Sequence, residues 1–88
     1  MTIADAVREI RALAKIPVDT PVQLEAWYQR SRDLKVTLLA SDLWTQMPHF
    51  VAHYLEDADL RARSVEYRAA QDRDLAQALS TWETARAV

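Results

Sequence analysis

Thr20-Pro21-Val22-Gln23-Leu24-Glu25-Ala26-Trp27 carries a complete helix-start signal. Thr20 can accept from the backbone of the third helical residue, Pro21 stands at the first position, and Gln23 can return the bond to close a capping box. From that start Leu24, Trp27, Ser31, Leu34 and Leu38 recur at alternating intervals of three and four, the repeat of one helical face. Tyr28, Val36 and Leu39 widen the apolar surface toward the far end. The stretch reads as a long helix and as the central packing element of an all-α protein.

On its N-terminal side, Val18-Asp19 makes a turn and Pro17 ends a preceding helix, because the residue before a proline is disfavoured in the α region. That first helix carries Ile3, Val7, Ile10 and Leu13 or Ala14 on one face, with Thr2 and Asp5 as a weaker capping box. On the C-terminal side, Ser41-Asp42 predicts a break or bend, since both side chains compete for backbone hydrogen bonds. Met47-Pro48 is a firmer boundary. Met47, Phe50, Val51, Tyr54, Leu55 and Ala58 then form a core-facing stripe. Asp57-Ala58-Asp59 starts a turn or short helical segment, and Ser64 caps a last helix with Glu66 in its first turn. Its stripe is Tyr67, Ala70 or Gln71, Leu75, Ala78 or Leu79, and Trp82, with Arg68 and Asp72 as an i, i+4 pair on the flank.

These segments predict one domain over 1–88, a small antiparallel bundle of three long helices plus one or two short ones. The expected core is Val7, Ile10, Leu24, Trp27, Leu34, Leu38, Phe50, Tyr54, Leu75 and Leu79. A chain of 88 residues buries only about 60–65% of its unfolded surface, so self-association is a natural source of further burial.

Composition excludes several chemistries. The chain has no glycine, so phosphate-cradling loops, dinucleotide fingerprints and nucleophile elbows have no backbone to build them. It has no cysteine, which removes disulfides, thiolate metal sites and a cysteine nucleophile and suits a reducing compartment. The N-terminal Met1-Thr2-Ile3-Ala4-Asp5-Ala6-Val7-Arg8-Glu9 lacks the basic start and apolar core of a signal peptide, and no run approaches the ~20 apolar residues of a membrane span. A cytoplasmic protein is expected. Net charge is −2 with both signs interspersed, which disfavours nucleic acid.

Three clusters bear on chemistry. His49, His53 and Glu56 share one side of a helix and have metal-ligand character, although they lack the zinc-protease pattern; the plainer reading is a polar face opposite Phe50, Val51 and Tyr54. Asp57 and Asp59 can be drawn as an acid–base pair, but carboxylates flanking helices serve more often as caps. Arg61, Arg63 and Arg68 form the most basic patch, yet Glu56, Asp57, Asp59 and Glu66 surround them, so a solvated, salt-bridged face is expected. The serines Ser41 and Ser64 read as caps and Ser31 as part of the packing stripe.

With three tryptophans, three tyrosines and one phenylalanine, a core this small leaves one or two aromatics at its rim, where Trp and Tyr are enriched in binding hot spots. Trp44 and Trp82 are the candidates for partner contact. The resulting expectation is a small acidic, non-enzymatic interaction protein, an adaptor, inhibitor or regulatory subunit that binds another protein or itself and uses no cofactor. A metal-binding protein built on His49, His53 and Glu56 is the alternative, and a nucleic-acid-binding regulator a weaker one.

Overall fold

The three long helices begin where local capping chemistry directs them. The computed structural model describes residues 1–86, which form α1 (Ile3–Ala14), α2 (Pro21–Ala40), a 3₁₀ turn (Trp44–Gln46), α3 (His49–Tyr54), α4 (Ala58–Arg63) and α5 (Val65–Arg86). The described residues contain no strand, so the all-α expectation of three long helices plus one or two short ones holds.

Both capping boxes form. Thr2 Oγ1 accepts from Asp5 N at 3.1 Å and Asp5 Oδ2 accepts from Thr2 N at 3.0 Å; the backbone bond from Thr2 and the adjacent Arg8 hold the Asp5 carboxyl below the usual carboxylate range. At α2, Thr20 Oγ1 accepts from Gln23 N and Gln23 Oε1 accepts from Thr20 N, each at 3.1 Å. Ser64 Oγ accepts from Tyr67 N at 3.1 Å and so starts α5.

The break after α2 is a glycine-type helix terminus built without glycine. Leu43 N donates to Leu38 O at 3.1 Å and Asp42 N to Leu39 O at 3.4 Å, the bond pair of a Schellman motif. Asp42 takes the left-handed position at φ 64°, and Leu38 and Leu43, which flank the turn, are both buried.

α1 runs antiparallel to α2 and also packs on α5. Met1 and Glu9 share a surface recess with Arg30, Asp33 and Thr37 of α2, whereas the opposite end of α1 meets α2 at Trp27, whose Nε1 donates to Leu13 O at 3.0 Å. Arg11 approaches Glu83 near the end of α5 at 3.6 Å. Three helices pack on α5, namely α1, α3 and α4, while α2 packs on α1, α4 and the 3₁₀ turn. Centrality is therefore shared with α5 rather than held by α2 alone.

The core contains Val7, Ile10, Trp27, Leu34, Leu38, Tyr54, Leu75 and Leu79 as expected, but Leu24 and Phe50 are only half-buried. α3 is six residues long, and its inward positions go to Val51 and Tyr54, with Leu55 just beyond, leaving Phe50 on the flank. Leu24 lies in the first turn of α2, beside a surface recess lined by Val18, Pro21 and Ala62. The radius of gyration, 12.7 Å, is close to the ~12 Å of a compact domain of this length.

Candidate functional site

The most concentrated polar chemistry lies where α3 turns into α4. A helix end leaves carbonyls short of partners, and here three consecutive ones are met by side chains. Arg61 Nη1 donates to Tyr54 O at 2.8 Å, Ser31 Oγ to Leu55 O at 3.0 Å, and Tyr28 OH lies 3.1 Å from Glu56 O. The Tyr28 hydroxyl also sits 3.0 Å from Asp59 Oδ1 and accepts from Asp59 N at 3.1 Å.

Arg61 is the centre of this network and is only 4% exposed. Its Nη1 makes a second bond to Gln71 Oε1 at 2.7 Å. Gln71 Nε2 donates to Asp57 Oδ2 at 3.2 Å and to Tyr67 OH at 3.1 Å, and Tyr67 OH donates to Asp57 Oδ2 at 3.3 Å. Arg61 Nη2 is buried without a hydrogen-bond partner among the described residues. The guanidinium is nevertheless covered, lying 3.6 Å from the ring centre of Tyr54 and 5.0 Å from that of Trp27, and such faces attract a desolvated cation. Burial pulls the Arg61 pKa below its ordinary value and pushes that of Tyr54 up to about 12. With Ser31 at 1% and Gln71 at 6% exposure, the centre of the network is closed to solvent, while Tyr28, Asp57, Asp59 and Tyr67 are half-buried at its rim. It fastens α4 to α3, α2 and α5.

This placement corrects the reading of Arg61 as part of a solvated basic face. Arg63 and Arg68 do remain at the surface, Arg63 with Asp59 at 3.5 Å and Arg68 with Asp19 at 3.1 Å. The expected Arg68–Asp72 pair does not form: Arg68 turns to the start of α2, and Asp72 Oδ1 accepts from Tyr54 OH at 3.4 Å. Arg61 had a signal in the sequence, because continuing the apolar stripe Val51, Tyr54, Ala58 by three residues lands on it. Gln71 likewise occupies a stripe position of α5.

Asp57 and Asp59 are not juxtaposed over a cleft; Asp57 is engaged by Tyr67 and Gln71, and Asp59 by Tyr28 and Arg63. Ser41 ends α2, its Oγ donating to Thr37 O at 2.8 Å. His49 and His53 are exposed neighbours with ring centres 5.3 Å apart. Glu56 does not join them, since it lies past the end of α3 and its Oε1 is 3.0 Å from Lys35 Nζ. Among the described residues, no group of three or more His, Cys, Asp or Glu side chains is placed to hold a metal ion.

Trp82 lies in the core at 5% exposure, its Nε1 without a partner among the described residues, so little of its surface is left for a partner. Trp44 is half-buried against the core in the 3₁₀ turn. The apolar side chains that do face solvent include Val36 at 67% and Leu39 at 61%, one turn apart on the outer face of α2. No family model matches the chain, and no curated protein or solved structure resembles it significantly.

Proposed function

We propose that the protein is a small, non-enzymatic interaction module that docks the outer face of the C-terminal half of α2 onto another protein or a second copy of itself. The observation that supports this reading is the exposure of Val36 and Leu39. Helix α2 already buries Leu34 and Leu38 on its inner side, so the fold gains nothing from two aliphatic side chains on the outer one. Covering both would contribute roughly 1.5–3 kcal/mol each to an association. Trp44 follows Leu39 by five residues, in the turn packed against α2, and places an aromatic at this end of the bundle. The interspersed charges and net charge of −2 fit a protein partner better than a polyanion. A cytoplasmic setting belongs to the same proposal; no described helix is long and apolar enough to cross a membrane.

The test uses the purified chain and a variant with Val36→Glu and Leu39→Glu, both matched by circular dichroism. Light scattering over a concentration series reads self-association, and capture from the host's lysate reads a hetero-partner. The module reading expects a stoichiometric complex or a dimer that the double variant loses. A monomer that retains nothing, or a complex indifferent to the double variant, contradicts it.

A further inference from the structure

We propose that His49 and His53 together bind one divalent transition-metal cation of the zinc, nickel or copper type, with water in the remaining positions. Imidazole nitrogen suits these ions. The two residues stand four apart on α3, a separation of about 6 Å along a helix, and both are exposed.

The ring spacing agrees with a shared ion. A nitrogen–metal bond of about 2.0–2.1 Å puts an imidazole centre roughly 3.2 Å from the cation, so two imidazoles at a tetrahedral angle have centres about 5.2 Å apart. The observed separation is 5.3 Å, with the ring planes at 69°.

The helix beneath the pair is held firmly for its length. Pro48 precedes His49 with φ −56°. At the other end, Arg61, Ser31 and Tyr28 fix the carbonyls of Tyr54, Leu55 and Glu56, so little ordering remains to be done on binding. The nearby carboxylate, Glu56, is paired with Lys35, which leaves a two-imidazole site. It is separate from the Val36/Leu39 face, and its fate in experiment is independent of that reading.

Titration calorimetry of the untagged full chain with nickel or zinc, together with electron paramagnetic resonance of the copper-loaded protein, tests the site. One cation per chain should bind, with a copper spectrum showing two equivalent nitrogen ligands. His49→Ala and His53→Ala should each weaken binding by more than the about tenfold that even an outer partner of a metal ligand is worth. Glu56→Gln and the Val36→Glu/Leu39→Glu variant should bind as the parent does. Absence of binding at millimolar metal, binding that survives both histidine replacements, or a single nitrogen in the copper spectrum overturns the proposal.

Discussion

Replacing Arg61 by alanine should destabilise the fold severely. The change removes two charge-assisted hydrogen bonds, to Tyr54 O at 2.8 Å and Gln71 Oε1 at 2.7 Å, each worth about 1.5–3 kcal/mol. It also removes the contact with the Tyr54 and Trp27 rings, worth about 2 kcal/mol when desolvated. Several kcal/mol of guanidinium desolvation are returned, so the net loss should be about 3–5 kcal/mol. Against a total of roughly 4–13 kcal/mol for a domain of this size, that is a large fraction. Arg61→Met is the sharper variant, because it keeps the aliphatic stem but leaves both acceptors unmatched; about 2–3 kcal/mol should be lost. Urea unfolding followed by tryptophan fluorescence measures both, with Trp27 stacked beside the site as a reporter. An Arg61→Met chain within about 0.5 kcal/mol of the parent, or more stable, would show that desolvation outweighs the contacts and that the network does not hold the fold.

Further outcomes follow from single features. Tyr54 is raised from 10.0 to about 12 in the folded chain, so its contribution is fully present below pH 10 and is lost as pH climbs through 12; unfolding free energy should fall by roughly 2–3 kcal/mol over that window, and Tyr54→Phe should remove this part of the slope. Asp42→Gly should raise stability by about 0.5 kcal/mol, because relief of the left-handed conformation at φ 64° exceeds the added freedom of the unfolded chain, whereas Asp42→Val should cost about 1–2 kcal/mol in the same urea unfolding. Trp82→Ala should cost about 3–5 kcal/mol as a core cavity; loss of association with an unchanged melting temperature would instead return Trp82 to the surface.

Local signals were legible in the sequence because their physics is local. Thr2 with Asp5, and Thr20 with Gln23, satisfy bonds three residues away, and the stripes of α1, α2 and α5 follow from helical geometry alone. The Ser41-Asp42 break was readable for the same reason, although not that Asp42 would take the place of glycine. Long-range satisfaction was not legible. Whether Arg61 points to solvent or into the core depends on Tyr54, Gln71 and Trp27 arriving from three other helices. Arg68 chose Asp19 over its helical neighbour Asp72 on similar grounds. The site was less readable than the fold: Val36 and Leu39 were seen only as widening the apolar surface of α2, while the aromatic count drew attention to Trp82, which the packing of α5 carries inward.

The docking face is tested most directly by photo-crosslinking in the host cell, with a photoreactive amino acid in place of Val36 and, as a control, in place of exposed Ala76 on α5. The account predicts a discrete covalent adduct from position 36, to a partner protein or a second copy, and none from position 76. Equal labelling from both positions, or none from either, would contradict it.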